Sequence, residues 1–125
     1  MFKFILALSL LSTPVFADEW STADTYRELT FQAVNIVDWG QTCYIAEHPD
    51  LYQEKGLQDG GSSLFISAHP TTNGVDSFML KVSVLHFVVA YFLPSDWRVA
   101  FQYITIGAKL DATINNATIG IKVSF

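Results

Sequence analysis

The chain has 125 residues, with seven Lys and Arg against twelve Asp and Glu, for a formal net charge of −5. This acidic balance argues against nucleic acid as a partner and against attachment to anionic lipid through basic residues. The length fits one small domain, and the single cysteine, Cys43, excludes an internal disulfide. Cys43 lies in an apolar run, where it is interpreted as a small buried hydrophobe.

Residues 1–17, MFKFILALSLLSTPVFA, have the pattern of an export signal. Lys3 supplies the positive charge before an apolar core, and Val15 and Ala17 are the small residues that a signal peptidase accepts. The pattern predicts cleavage after Ala17 and a single exported domain over 18–125. An uncleaved N-terminal membrane anchor is the alternative.

Apolar periodicity predicts a mainly α-helical fold with about three helices. The first is predicted over 22–47, because Ser21 and Asp24 form a capping-box-like pair and His48 precedes a proline. Its apolar positions recur at threes and fours and therefore share one face: Tyr26, Leu29, Ala33, Ile36, Val37, Gly40 and Tyr44.

Two more helices are predicted, over 77–93 and 97–114. Asp76 is the expected N-cap of the second helix and Pro94 its stop, and Ser95 with Asp96 caps the third. A long Gly- and Ser-rich loop is predicted between the first two helices.

The C-terminal tail is predicted to be short and extended. Its apolar residues alternate with polar or small ones, which is the period of a strand: Ile119, Ile121, Val123 and Phe125. A β-hairpin over 99–125 is the alternative, because β-branched and aromatic residues dominate this part of the chain.

The second helix carries the strongest membrane signal. Its stretch from 78 to 93 is interrupted only by Lys81, Ser83 and His86, and it would cover roughly 24 Å of a hydrocarbon layer of about 30 Å. Lys81 lies close enough to the helix end to snorkel outward. We therefore expect a membrane-embedded or membrane-bound protein, with a freely soluble periplasmic protein as the alternative.

Polar residues recur at helical spacing within all three helices and predict stripes that meet in a buried polar cluster. Its predicted members are Asn35, Asp38, Gln41, Thr42, Ser83, His86, Arg98, Gln102 and Lys109. Asp38 needs a partner, since an uncompensated buried carboxylate costs several kcal/mol. His86 is the first choice, with Lys109 second and Arg98 also possible. Gly40, which lacks a Cβ, is expected to admit a neighbouring helix.

The cluster is interpreted as fixing helix register, and Asp38 and His86 are only weak candidates for a catalytic acid and base. The sequence holds no recognisable catalytic or phosphate-binding motif. His48, His69 and His86 have spacings that match no compact metal motif, so neither a metal nor a cofactor is expected.

Several motifs resemble a group of small uncharacterised exported or membrane proteins of tailed phages and proteobacteria. They are DWGQT, a downstream HP, LPSDWR, WR-x3-QYITIG and NN-x2-IGI, and they extend over about 24–125. The chain departs from the group in the loop, where only His69 and Pro70 match, and at Lys109, where relatives often carry an acid. The resemblance implies location and architecture and no activity.

The expected function is that of a small exported envelope protein without enzymatic activity, and a phage-encoded protein that modifies or contacts the host envelope is one form of this expectation. Its expected partners are membrane lipid or an envelope protein, and no small-molecule partner is identifiable. Its expected place is the inner membrane or the periplasmic face of the outer membrane. The alternatives are a small membrane hydrolase or transferase that uses Asp38 and His86, and a soluble periplasmic inhibitor-like protein.

Overall fold

A computed structural model describes residues 19–52 and 70–125, which form three α-helices. These are α1 (Thr22–Glu47), α2 (Thr72–Phe92) and α3 (Ser95–Thr118). The prediction of a mainly helical fold is confirmed. The predicted export signal, most of the predicted loop and His69 lie outside the described residues.

Helix α1 has the limits that local sequence signals predict. The Ser21 hydroxyl accepts a hydrogen bond from the Asp24 N–H (3.1 Å), and the Asp24 carboxylate accepts one from the Ser21 N–H (2.8 Å). This reciprocal capping box satisfies two donors at the helix start. At the other end the His48 N–H donates to Ile45 O (3.1 Å), and Pro49 follows.

Helix α2 begins five residues before its predicted start. The N-cap is Thr71, whose hydroxyl accepts from the Gly74 N–H (3.0 Å), and not Asp76 as predicted. Asp76 lies within the helix, where its carboxylate accepts from the Trp39 indole N–H (2.8 Å). The prediction that Asp76 is the N-cap of α2 is wrong, because its carboxylate binds the Trp39 side chain of another helix.

Helix α3 is longer than predicted, and the tail after it is not a strand. Its N-cap is Pro94, with no side-chain cap hydrogen bond, and the helix continues to Thr118. Just beyond the C-cap Ile119, the chain turns out of the helix at Gly120, whose φ of 93° lies in the left-handed region that favours glycine. The alternative hairpin over 99–125 is excluded, and no strand forms in the described parts of the chain.

The helices form an up-down-up bundle with α1 in the middle. Glu28 of α1 faces His86 of α2, and Trp39 faces Asp76, so these two helices run antiparallel. Helix α1 packs extensively against both other helices, whereas the backbones of α2 and α3 come close at few positions and the two helices meet through side chains such as His86 and Arg98. The two outer helices therefore splay apart over one face of α1.

The distribution of burial is inverted relative to an ordinary soluble bundle. The buried apolar cluster within the described residues is small and consists of Cys43, Val75 and Met79, with Trp39, Ala46 and Phe78 packed against it. Most large apolar side chains on the helices face outward, among them Tyr26, Leu29, Ile36, Val37, Leu80, Val84, Leu85, Phe87, Tyr103, Ile104, Leu110 and Ile114.

Helix α2 is long and apolar enough to cross a membrane, and it is the one helix of the described residues that meets both criteria. About a fifth of its most apolar window (22%) is buried inside the bundle. The outward face of α2 therefore has no partner within the described chain.

The C-terminal tail, not a neighbouring helix, packs against Gly40. The Ser124 N–H donates to Gly40 O (2.9 Å), and a Cβ at position 40 would collide with Val123 and Phe125. The prediction that another segment approaches Gly40 closely was correct. The segment is the C-terminal tail and not the neighbouring helix that was predicted.

Replacing Gly40 with alanine is expected to release the tail, because the new methyl group occupies the space of Val123 and Phe125. Trypsin should then cleave after Lys122 faster in Gly40→Ala than in the unmodified protein. Gly107→Ala is the matched control, since nothing lies within 4 Å of its added Cβ and alanine favours a helix interior. Equal cleavage rates in the two variants would contradict the observed packing of the tail.

Candidate functional site

The polar core is the set of buried polar and charged side chains between the helices. Its members are Asp24, Glu28, Asn35, Asp38, Gln41, Thr42, His86, Arg98, Gln102 and Thr113. Ser83 and Lys109, which were also predicted to belong, are partly buried at its margin. The α1 members recur at threes and fours, so one helix face supplies most of the core.

One end of the polar core is held by Arg98, which is fully buried. Its Nη1 donates to an Asp24 carboxylate oxygen at 2.9 Å. Its Nε donates to Ala90 O (2.7 Å), and its Nη2 donates to Tyr91 O (3.2 Å) and Leu93 O (3.0 Å). Because the last carbonyls of a helix lack intrahelical partners, Arg98 caps the C-terminus of α2 and joins it to α1 and α3.

Next along α1 comes the pair of Glu28 and His86. The imidazole Nδ1 lies 2.9 Å from a Glu28 carboxylate oxygen, and Nε2 lies 2.7 Å from the Thr105 hydroxyl oxygen. The ring is stacked between Phe31, at 3.4 Å between centroids, and Phe101, at 4.6 Å. Two hydrogen bonds and two aromatic faces thus fix the imidazole in one orientation.

Two amide side chains extend the network around Glu28. The Gln102 amide donates to one Glu28 carboxylate oxygen (3.3 Å) and accepts from Arg27 Nε (2.8 Å). The Gln32 amide donates to the other oxygen (2.9 Å) and accepts from the Ser83 hydroxyl. The carboxylate of Glu28 is therefore satisfied by partners from all three helices.

Asp38 pairs with Lys109, which was the second choice from the sequence. The first choice, His86, is wrong, because His86 contacts Glu28 instead. Arg98, the third candidate partner of Asp38, forms its ion pair with Asp24 instead. Glu28 and Asp38 are ten residues apart on one helix, about 15 Å along its axis, so a group seated on Glu28 cannot reach Asp38.

The far end of the polar core consists of neutral groups. The Gln41 amide donates to Thr113 O (3.0 Å) and accepts from the Asn116 amide (3.2 Å). The Thr42 hydroxyl donates to Asp38 O (2.7 Å), one turn back on its own helix. The two bonds of Gln41 join α1 to the last turns of α3.

Asn35 is the exception in this otherwise satisfied network. Its side chain is 1% exposed, and its Oδ1 has no hydrogen-bond partner. It lies one turn from both Phe31 and Asp38, on the same face of α1. A buried acceptor without a donor costs free energy, so Asn35 is an unfavourable position within the polar core.

An open groove lies where α2 and α3 splay apart, and we refer to it as the α2/α3 groove. Its volume is about 480 Å³. Its walls are mostly apolar side chains of both helices, and its polar members are Asp38, His86, Thr105 and Lys109. The groove is therefore an apolar cleft with a few polar groups, which is the general composition of a small-molecule site.

The polar groups of the groove are not arranged as a catalytic pair. Asp38 and His86 each have another ionic partner, and the Thr105 hydroxyl lies within hydrogen-bond distance of Phe101 O (2.8 Å). No Ser or Cys lines the groove among the described residues. Nor does any cluster of three or more His, Cys, Asp or Glu in residues 19–52 and 70–125 fit a metal ion.

The sequence interpretation missed Glu28, and it treated Asp24 only as a helix cap. Both belong to the face that continues through Phe31, Asn35 and Asp38 at spacings of three and four. Extending that spacing toward the N-terminus would have identified them. No protein-family model, curated protein or solved structure matches the chain in the comparisons.

Proposed function

We propose that the protein is an exported envelope protein whose three helices cross a membrane together and which acts by contact with lipid or with another envelope protein, without catalysis. The observation that carries the proposal is the inverted burial of the bundle. Ionised and amide groups are inside, where they compensate one another, and large apolar side chains are outside. A bilayer is the solvent in which this arrangement is favourable.

The outer surface of the bundle forms an apolar belt, which is about three quarters as thick as the hydrocarbon layer of a bilayer. The interval of α1 from Asp24 to Trp39 contains sixteen residues and rises about 22 Å, and its one partly exposed charged side chain, Arg27, is paired with Asp24. Thr30, which is exposed there, donates its hydroxyl hydrogen to Tyr26 O (2.8 Å), so that it needs no water. The belt is about 8 Å shorter than a hydrocarbon layer of about 30 Å, and a bilayer accommodates a short belt by thinning locally.

The exposed acids on the other two helices lie near the edges of this belt. Asp96 lies at the end where Arg98 meets Asp24, and Asp76 and Asp111 lie at the level of Trp39. Lys81 is exposed closer to the middle, where its long stem allows the ammonium to reach the interface.

Aromatic residues gather at both edges of the belt. Trp20, Tyr26, Tyr91 and Trp97 lie at the end near the start of α1, and Trp39, Tyr44 and Tyr52 lie at the other end. Trp20 stacks on Tyr91, with 6.2 Å between ring centroids. Tryptophan and tyrosine prefer the interfaces of a bilayer, because their rings are apolar and their polar atoms reach water.

The competing functions have less support. A hydrolase or transferase needs Asp38 and His86 to share a substrate, whereas each contacts a different partner, Lys109 and Glu28 respectively. A soluble inhibitor-like protein would expose to water the row of large apolar side chains on α2, which is unfavourable for a monomer.

Cysteine accessibility in lipid vesicles tests the proposal. In a Cys43→Ala background, Val84→Cys and Ile104→Cys place a thiol in the middle of the belt, and Asp96→Cys places one at its edge. A membrane-permeant maleimide should label Asp96→Cys readily and the two belt variants very slowly, because the reactive thiolate does not form in hydrocarbon. Dissolving the vesicles in detergent and unfolding the protein should equalise the rates. Rapid labelling of Val84→Cys in intact vesicles would contradict the proposal.

A further inference from the structure

We infer that Glu28, His86 and Thr105 form a proton-binding switch between the three helices. In the protonated state His86 carries a hydrogen on both ring nitrogens and joins α2 to α1 and to α3. When the imidazole loses one of these protons, the contact between α2 and α3 weakens and the α2/α3 groove widens. The inference concerns the interior of the bundle, so it holds whether lipid or water surrounds the helices.

The hydroxyl of Thr105 indicates that the imidazole Nε2 carries a hydrogen. Its oxygen lies 2.8 Å from Phe101 O and 3.1 Å from Gln102 O, so its single hydrogen points to these carbonyls of its own helix. The same oxygen lies 2.7 Å from His86 Nε2 and is therefore the acceptor in that bond. If the hydroxyl donated to Nε2 instead, its oxygen would face the two carbonyl oxygens with no hydrogen between them, which is unfavourable.

The Glu28 carboxylate accounts for a hydrogen on the other ring nitrogen. Glu28 is 6% exposed, and one of its oxygens lies 2.9 Å from His86 Nδ1. An ionised carboxylate only accepts hydrogen bonds, so Nδ1 is the donor. With hydrogens on both nitrogens His86 is an imidazolium, and its charge compensates Glu28. Without this counter-charge, the buried carboxylate would cost free energy.

Glu28 is the charged group that acts directly on the imidazole. The other charged side chains around the pair are Arg27 and Asp38 on α1, Lys81 on α2 and Lys109 on α3. Asp38 and Lys109 pair with each other, and Lys81 lies five positions away from His86 along α2. Arg27 donates to the Gln102 amide, which in turn donates to Glu28.

Loss of a proton from His86 acts on the contact between α2 and α3. Among the described residues, polar side-chain bonds between these helices are made by His86 and, at the turn, by Arg98. Without its hydrogen, Nε2 presents a lone pair to the Thr105 oxygen. Thr105 must then give up its bond to Phe101 O or lose its bond to the ring, and Glu28 loses its counter-charge. A neutral His86 therefore favours a wider separation of α2 and α3 beside the groove.

Nitrogen NMR of the imidazole tests the protonation state. In a background of His48→Asn and His69→Asn, His86 is the only histidine, and ¹⁵N spectra in detergent report the hydrogens on its two ring nitrogens. We expect both nitrogens to be protonated at neutral pH and one of them to lose its proton as the pH is raised to about 10. A neutral ring at neutral pH overturns the inference. A ring that keeps both protons up to this pH is a fixed ion pair and not a switch, which also overturns it.

Variants of the two partners test what holds the proton. Thr105→Val removes the acceptor of Nε2–H and should lower the pH of the transition by about 1–2 units, since a hydrogen bond to a charged group contributes roughly that much. Thr105→Ser keeps the hydroxyl and should leave the transition unchanged. Glu28→Gln removes the counter-charge and should lower the transition further than Thr105→Val does. Equal transitions in the valine and serine variants overturn the inference, and this comparison remains decisive if Glu28→Gln does not fold.

Distances between spin labels test the widening of the groove. In a Cys43→Ala background, one pair of labels is placed at the exposed positions Val88 and Ile104, on α2 and α3, and a control pair at Leu29 and Ile104, on α1 and α3. The first distance should lengthen as His86 loses its proton, whereas the control distance should stay constant. If the first distance does not change across the transition, or if both distances lengthen alike, the proton does not control the contact between α2 and α3.

Discussion

Replacing Arg98 with methionine is expected to lower the free energy of unfolding by about 3–5 kcal/mol. The guanidinium is fully buried, and it is the shared partner of the Asp24 carboxylate and of three backbone carbonyls at the end of α2. Methionine fills a similar volume but leaves the carbonyls without this donor, and Asp24 then has only Arg27 as an ionic partner. Thermal or denaturant unfolding in a mild detergent, followed by circular dichroism, measures the loss.

Two further variants separate charge from geometry at this site. Arg98→Lys keeps a positive charge near Asp24 but lacks the planar fork that reaches several carbonyls, so we expect it to recover only part of the loss. Lys81→Met removes an exposed charge from the same bundle and should change stability by less than about 1 kcal/mol. If Arg98→Met lowers the free energy of unfolding no more than Lys81→Met does, the cap that Arg98 forms on α2 contributes little to stability.

Local signals were sufficient for some elements and insufficient for others. The limits of α1 were predictable, because the Ser21–Asp24 capping box and Pro49 act within a few residues of the helix ends. The start of α2 was not predictable from Asp76, since that carboxylate serves as the acceptor for the indole of Trp39 on another helix. A cap residue with a tertiary partner cannot be recognised from its neighbours in sequence.

Helix periodicity also identified polar stripes but not their pairing. The spacing of Asn35, Asp38 and Thr42 on α1 indicates that they share a face, and the structure buries that face. Which group of another helix lies at the level of Asp38 depends on how far the two helices are shifted along their axes. The spacing of polar residues within one helix does not give that shift. The antiparallel course of α2 sets His86 opposite Glu28 and leaves Lys109 of α3 for Asp38.

The same network supplies a reason for the fold and supports the proposed membrane location. Each buried acid on α1 meets a basic or imidazole group on α2 or α3, so these pairs fix how the helices are aligned against one another. Because those pairs occupy the interior, there is little room for apolar side chains there, and they face outward instead. In water this exterior would be an aggregation surface. In lipid it is the natural boundary of the bundle.

The corrected pairing gives the second large expected effect, in a double-mutant cycle of Asp38→Asn and Lys109→Met. Each single change should destabilise the protein, because it leaves one charge in a partly buried site without its counter-ion. The double variant should be more stable than the sum of the two losses predicts, with a coupling free energy of about 1–3 kcal/mol. Unfolding in detergent provides all four values.

A second cycle, of Asp38→Asn with His86→Leu, is the control for this coupling. The ring of His86 contacts Glu28, ten residues and about 15 Å from Asp38 along α1, so the two losses should add to within about 0.5 kcal/mol. Both side chains line the α2/α3 groove, so a general weakening of the groove would affect both cycles equally. Coupling confined to the cycle with Lys109 therefore identifies the ammonium as the group that compensates Asp38. Equal coupling in the two cycles would mean that the register of α2 and α3 against α1 differs from the one described.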